Sequence, residues 1–303
     1  MSGKPGFPFK LATYKAVSLK LLLITCALIF CMSLPSSAFR LRIDGFSTPE
    51  SFIIDPSTGM YYVSNIAGSP AKKDNNGFIS RIDSSGNLAD RHFIQGGENG
   101  VTLHAPKGLL IIRNELYVTD IDTLRRFDKT TGKPLRSVGL NLLGAQFRND
   151  LTTDLGDNIY ISDSSRNAIY KINTKESLMP SLVIKDPALG TPNGLVYDAR
   201  HKRLVVACGE SGKILAVDLR NKNFYPLISK KFKELDGIDF DHKGNLLVAD
   251  HKAGTVYRVR GYSKIKVLRE NMITPANTSF DPRNKQVLIP TLKGNIIFTL
   301  PLN

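Results

Sequence analysis

Along residues 39–303 the apolar side chains come in runs of four to seven, alternating or continuous, broken by Gly, Asn, Asp and Pro. Almost nowhere do they fall at the three- and four-residue spacing of an amphipathic helix, so the pattern predicts short strands joined by turns. Five such strands are versions of one segment: Gly59–Asn65, Glu115–Asp120, Asn158–Asp163, Arg203–Ala207 and Asn245–Asp250. Each is followed, across a turn, by a second strand: Gly77–Asp83, Thr123–Asp128, Asn167–Ile172, Gly212–Asp218 and Gly254–Val259. Each is also preceded by a strand, as in Ser51–Asp55, Gly108–Ile112, Asp150–Asp154, Gly194–Asp198 and Gly237–Asp241, with a sixth version at Thr278–Asp281.

The residues just before these leading strands are Glu50, Lys107, Asn149, Asn193, Asp236 and Asn277, separated by 57, 42, 44, 43 and 41 residues. An insertion around Ala67 to Asn76 accounts for the long first interval. The remaining spacings match a four-stranded propeller blade of roughly 40–45 residues, a unit that cannot bury its faces alone. Six blades use the chain from residue 39 onward and leave no room for a second domain. The expected fold is therefore all-β: a six-bladed β-propeller of four antiparallel strands per blade. The sixth unit lacks its fourth strand, which Phe39–Gly45, lying ahead of the first unit, is placed to supply.

Residues 1–38 stand apart. Lys4, Lys10, Lys15 and Lys20 precede a short apolar run from Leu21 to Met32, and Ser36, Ser37 and Ala38 follow. That order reads as a secretory signal cleaved after Ala38, with a retained membrane anchor as the alternative. The expected location is secreted or periplasmic, with no stable membrane span after cleavage. The whole chain carries 41 Lys and Arg against 27 Asp and Glu; removing the four leader lysines leaves 37 against 27, a net +10. Cys26 and Cys31 leave with the leader, so Cys208 alone remains and no internal disulfide supports the fold. The basic stretch Ser229–Lys233 suits an anionic surface, but no nucleic-acid-binding module is visible. The oligomeric state is not legible.

In a propeller the leading strand of each blade lines the central channel, so six equivalent residues converge on one axis. Here they are two carboxylates (Glu50, Asp236), three carboxamides (Asn149, Asn193, Asn277) and one ammonium (Lys107). Oxygen donors of this kind suit one hard divalent cation, Ca²⁺ above all, with Mg²⁺, Mn²⁺ or Zn²⁺ as alternatives. The competing explanation is that Asn and Asp recur only as turn formers. The five histidines fall off the channel positions and read as solvated, with His104 and His251 the two worth testing.

On Thr48-Pro49-Glu50-Ser51, Arg148-Asn149-Asp150, Thr191-Pro192-Asn193-Gly194-Leu195 and Leu235-Asp236-Gly237-Ile238, the chain resembles the gluconolactonase, senescence marker and luciferin-regenerating-enzyme-like propellers. It is more distantly similar to paraoxonases and strictosidine synthase-like propellers. The resemblance implies that Glu50, Asn149, Asn193 and Asp236 hold one divalent metal and that the activity is hydrolysis of a lactone or related ester. Asp236 would be the base, and Lys107, Arg148 and Asn277 the substrate-binding candidates. The family's substrate-binding Arg two residues before the metal Asn is replaced here by Phe147, which weakens a sugar-lactone assignment. A non-catalytic propeller that binds a protein or glycan, with a structural metal, is the alternative function.

Overall fold

The computed structural model describes residues 40–175 and 178–302, together with 1–3 and 6. The predicted leader, apart from those few positions, lies outside the described residues. Six four-stranded antiparallel sheets account for nearly all the regular structure. Strand β1 (Arg42–Asp44) precedes blade one, which is β2 (Pro49–Ile54), β3 (Tyr61–Asn65), β4 (Phe78–Ile82) and β5 (Leu88–Gln95). Blade two is β6 (Pro106–Ile112), β7 (Glu115–Asp120), β8 (Thr123–Asp128) and β9 (Pro134–Gly139). Blade three is β10 (Arg148–Thr153), β11 (Asn158–Asp163), β12 (Ala168–Asn173) and β13 (Pro180–Lys185). Blade four is β14 (Pro192–Asp198), β15 (Arg203–Cys208), β16 (Ile214–Asp218) and β17 (Phe224–Pro226). Blade five is β18 (Leu235–Phe240), β19 (Leu246–Asp250), β20 (Thr255–Arg260) and β21 (Lys264–Arg269). Blade six takes β22 (Ser279–Asp281), β23 (Gln286–Thr291) and β24 (Ile296–Pro301) from the end of the chain.

Its fourth strand comes from the front of the chain. β1 pairs antiparallel with β24, Ile43 opposite Ile297, so the ring closes by hydrogen bonding the two ends of the propeller together, as the missing sixth-blade strand predicted. Closure of this kind covers the edge of β24 and leaves only the three-residue β1 at the rim, a short edge that offers little to pair with.

Each blade is buried on both faces, which is why its middle strands read as continuous apolar runs. β3, β15, β19 and β23 are buried along their whole length, whereas the outer β9 and β21 are mostly exposed. Between neighbouring blades lies an apolar cluster, such as Tyr117, Leu124, Leu151 and Tyr170 between blades two and three. Cys208 sits in the cluster between blades three and four, and burial pushes its thiol up to about 12, which suits a structural role. Among the described residues no helix is long and apolar enough to cross a membrane.

Two recurring devices fix the inner strands. The hydroxyl of Ser64 donates to the Lys107 carbonyl at 2.7 Å, Thr119 to the Asn149 carbonyl at 2.6 Å, and Ser162 to the Asn193 carbonyl at 2.6 Å. A hydroxyl on the second strand of one blade thus holds the channel residue of the next. The carboxylate ending the second strand does the rest: Asp120 accepts from the N–H groups of His104 and Ala105, Asp163 from Gln146 and Phe147, and Asp250 from Lys233 and Glu234. These bonds satisfy buried loop amides that have no strand partner and set where each inner strand begins.

Candidate functional site

β2, β6, β10, β14 and β18 share one irregularity. Each slips register between its first and fourth residues, Pro49/Phe52, Pro106/Leu109, Arg148/Leu151, Pro192/Leu195 and Leu235/Ile238. The residue just inside each slip is Glu50, Lys107, Asn149, Asn193 or Asp236. A bulge takes that residue out of the ladder and re-aims its side chain, here toward the axis. Thr48 and Thr191, just upstream, hold φ values of 54° and 59°, a left-handed backbone that a β-branched residue adopts at a cost of about 1–2 kcal/mol. The Asn295 side chain accepts the Thr48 N–H at 2.8 Å and the Asn167 side chain accepts that of Thr191 at 2.7 Å.

The bulged residues open onto a cavity of about 600 Å³ at one mouth of the channel, within the range of a small-molecule site. Glu50, Lys107, Asn149, Asn193 and Asp236 all reach it. Asn277 does not. Its side-chain amide donates to Asp150 at 2.7 Å, its N–H donates to the Glu50 carbonyl, and it lines a smaller recess of about 260 Å³ toward the opposite mouth. Asn277, expected among the substrate-binding residues, therefore lies outside this cavity: Pro275 pairs with Thr291 and Ser279 with Leu288, so Ala276 stands where the other blades place their bulged residue, and the Asn277 amide is committed inside the ring. Of Arg148 only the backbone is described, opposite Asp163.

Lys107 is no rim lysine either. It is buried, and its ammonium donates to the carbonyls of Pro70 at 2.9 Å and Ala105 at 3.1 Å and sits 4.4 Å from the centre of the Phe147 ring. Pro70 belongs to the insertion 67–76, which is tied down rather than open. The Asn75 N–H donates to the His104 ring at 3.1 Å, Asn75 accepts from Leu103 at 2.7 Å, and Lys73 pairs with Asp122. The insertion is a fixed wall of the cavity.

At the floor, three buried oxygens have no hydrogen-bond partner: Glu50 Oε2, Asn193 Oδ1 and Asp236 Oδ1. Asn193 and Asn149 turn their amide nitrogens outward, to the Leu235 carbonyl at 3.5 Å and the Ser164 hydroxyl at 3.4 Å. Buried acceptors are ordinarily satisfied, so a group of them facing one space is the signature of a missing donor or cation. Burial, reinforced by the charges of Asp236 and Asp150, raises the Glu50 carboxyl well above its usual range. Burial, with Asp150 and Glu234 nearby, pushes Asp236 up to about 8. Burial also takes Asp150 to about 7 against the hydrogen bonds it accepts. Desolvated carboxylates crowded together behave this way, the Lys107 ammonium offsetting only part of the effect at Glu50, and a divalent cation would reverse it. The donor set fits a hard cation, two carboxylates and two carboxamides; among the described residues no three His, Cys, Asp or Glu side chains form a metal-binding group.

The expectation that the histidines are solvated fails at His251. Its ring lines the cavity, only 23% of the side chain is exposed, and Nδ1 lies 3.6 Å from Asp236 Oδ2. Burial holds the imidazole below its usual pKa, so it is neutral at pH 7. The Pro275 carbonyl within reach favours the proton on the other ring nitrogen, and Nδ1 has no partner. The turn after the Val-Ala-Asp of blade five brings it there. By contrast His92 and His242 stack on Phe78 and Phe280, and His201 pairs with Asp198.

A stability consequence follows for the cation-free protein. A carboxyl whose pKa is higher folded than unfolded contributes stability that is full below the unfolded value near 4 and is lost as pH rises through the folded value. With Asp150 near about 7 and Asp236 near about 8, chelator-treated protein should melt at progressively lower temperature from about pH 4 to pH 8. Ca²⁺ should raise the melting temperature far more at pH 8 than at pH 5. Scanning calorimetry in both buffers checks this; an equal Ca²⁺ effect at the two values would contradict it.

No family model and no curated protein matches the chain. Solved structures do. Virginiamycin B lyase from Staphylococcus aureus is similar at TM-score 0.61 with 15% identity, over 87% of this chain and 99% of that one. A chain of a nidogen–laminin complex is similar at TM-score 0.60 with 18% identity, over 84% and 89%. A Bacteroides thetaiotaomicron protein of unknown function reaches TM-score 0.65 with 12% identity, over 86% and 72%. At these identities the likeness establishes the six-bladed propeller and nothing finer.

Proposed function

We propose that the cavity is the active site of a metal-dependent hydrolase of lactones or related esters, with one divalent cation held by Glu50, Asn149, Asn193 and Asp236. The observation that carries this reading is the group of partnerless buried oxygens on Glu50, Asn193 and Asp236, beside a partnerless nitrogen of a neutral histidine. Ca²⁺ is the first candidate for an all-oxygen set, ahead of Mg²⁺, Mn²⁺ and Zn²⁺. Such a cation, when bound, supplies Lewis-acid polarisation of the substrate carbonyl and acidifies nearby water.

The rest is the work of the chain. Glu50 and Asp236 balance charge on the axis, and the carboxamide oxygens of Asn149 and Asn193 complete the floor. His251, whose ring lines the cavity and whose buried, partnerless Nδ1 lies 3.6 Å from Asp236, is the group that would take the proton of an attacking water, with Asp236 steadying the imidazolium that results. The base is thus read as a pair, Asp236 and His251, instead of Asp236 alone. On the leader read in residues 1–38, the protein works outside the cytoplasm, secreted or periplasmic.

A Staphylococcus aureus virginiamycin B lyase of similar fold, solved with quinupristin and described as catalytically inactive, carries alanine in place of one histidine, so that protein needs a histidine for its activity. A base near an ester also serves elimination, so the fate of water separates the two reactions. Run in ¹⁸O-water with Ca²⁺, a panel of lactones and esters should yield acids carrying one solvent oxygen; unlabelled cleaved product would make the protein a lyase. Absence of turnover on the whole panel would leave the non-catalytic binding propeller standing. His251→Gln should lower kcat about a hundredfold and remove the acidic limb of the pH profile while Ca²⁺ affinity stays within about threefold. An unchanged kcat would return the base to Asp236 alone.

A further inference from the structure

We propose that the substrate of this site is a lactone or ester with an apolar alkyl or aryl body, and that polyhydroxylated sugar lactones are poor substrates; the inference rests on the hydrolase reading above. Polar groups of the cavity are concentrated on its floor, and the side walls are of two kinds. One is apolar: Ile66, Pro70, Phe147 and Leu292 face the space. That wall is firm, because Ile66 packs with Ala105, Ile121 and Leu292, and Pro70 is held by the Lys107 ammonium. The other carries the hydroxyls of Thr48, Ser164, Ser165 and Thr191, of which those of Ser164 and Thr191 are already committed. Ser164 donates its one proton to the Pro192 carbonyl at 2.8 Å. Thr191 donates its own to the Gly190 carbonyl at 2.7 Å and accepts from the Glu210 N–H at 2.7 Å.

Lys107, the cation a sugar or an acidic substrate would call on, points its ammonium at two backbone carbonyls and the Phe147 ring. Glu210 and Lys293 stand exposed at the mouth, where water competes for them. A sugar lactone entering this space would strip water from several hydroxyls and find, besides Thr48, Ser165 and Glu234, an apolar wall that pairs none of them, and each unpaired hydroxyl is costly. An alkyl chain loses nothing polar and covers Phe147, Ile66 and Leu292. Specificity therefore comes from the walls, while the carbonyl chemistry comes from the floor.

The test is a series of γ- and δ-lactones with side chains of increasing length, run beside gluconolactone on the Ca²⁺-loaded full chain. In parallel, calorimetry measures binding of the ring-opened products, a medium-chain hydroxy acid and gluconate. The expected result is a rise of about fourfold in kcat/KM per added methylene until the cavity is full. Gluconolactone should be at least a hundredfold slower than the best alkyl lactone, and the hydroxy acid should bind where gluconate does not. Phe147→Ser should flatten the chain-length slope, and Phe147→Leu should restore it. A flat slope in the wild type, or gluconolactone as the faster substrate, overturns the inference and leaves the hydrolase reading intact. Failure to turn over any lactone or ester sinks the hydrolase reading instead. In that event binding of gluconate in preference to the medium-chain hydroxy acid, or of neither, overturns the apolar assignment as well.

Discussion

Replacing Asp236 with Asn should lower kcat/KM on the best lactone or ester by a thousandfold or more while the protein remains folded. The substitution keeps the size and one oxygen of the side chain, so the apolar cluster between blades four and five and the bulge at the start of β18 are undisturbed. What goes is the charge. In the wild type that charge is buried beside Glu50 and Asp150, with Oδ1 buried without a partner and Oδ2 3.6 Å from His251. The Asn variant loses an anionic donor to the cation and the anion that steadies His251 when it is protonated, two effects each worth a hundredfold or more. A second readout separates this from unfolding. In chelator at pH 8 the variant should melt higher than the wild type, because a carboxyl forced to ionise among like charges has been removed. Activity within tenfold of wild type would remove Asp236 from the chemistry.

A large loss of stability is expected at Gly237. A Cβ built on this residue lies 2.1 Å from the Thr278 nitrogen and 2.8 Å from the Ala276 carbonyl oxygen, both backbone atoms of the neighbouring blade. Neither can yield: the Ala276 N–H donates to the Pro290 carbonyl and the Asn277 N–H to the Glu50 carbonyl. Gly237→Val must therefore push blades five and six apart at the axis. A cost of about 4 kcal/mol or more is expected, the range of severe overpacking, seen as a large drop in the urea midpoint or as failure to accumulate soluble protein. Gly139→Ala is the control, since its added Cβ meets nothing within 4 Å, and it should change stability by less than about 0.5 kcal/mol. Equal effects at the two positions would mean that close approach of the inner strands is not what Gly237 provides.

Gly237 also shows what kind of information the sequence carries. The repeat of Glu50, Lys107, Asn149, Asn193 and Asp236 was legible because each blade must bury its two faces against neighbours, which forces one period on the chain. The closing role of the first strand was legible for the same reason, as a blade with a strand missing. The bulges were not. A register slip leaves no mark in the hydrophobic pattern, yet it turns the five side chains inward; in blade six the same slip lies between Pro275, opposite Thr291, and Ser279, opposite Leu288, so Ala276 takes the bulged position and Asn277 falls one residue past it.

Long-range packing decided the remaining misses. Lys107 reads as a solvated or substrate-facing cation until Pro70, from an insertion 37 residues earlier, is seen to accept from it. His251 follows the Asp250 that ends β19, and nothing in its own neighbourhood says that the turn leads back over the cavity. The Asp120, Asp163 and Asp250 that end the second strands were visible as a recurring residue. Their function, holding the loop that enters the inner strand, appears only when the amides they accept from are located.

Everything proposed for the chemistry depends on the floor of the cavity holding one divalent cation through Glu50, Asn149, Asn193 and Asp236. Equilibrium dialysis of ⁴⁵Ca²⁺ against the purified chain, the wild type beside the Glu50→Gln/Asp236→Asn double variant, measures it directly. One Ca²⁺ per wild-type chain and at least a hundredfold weaker binding in the double variant are expected, with both proteins equally folded by circular dichroism. Equal Ca²⁺ binding by the two proteins, or none by the wild type with Mg²⁺, Mn²⁺ and Zn²⁺ also failing to bind, would contradict it.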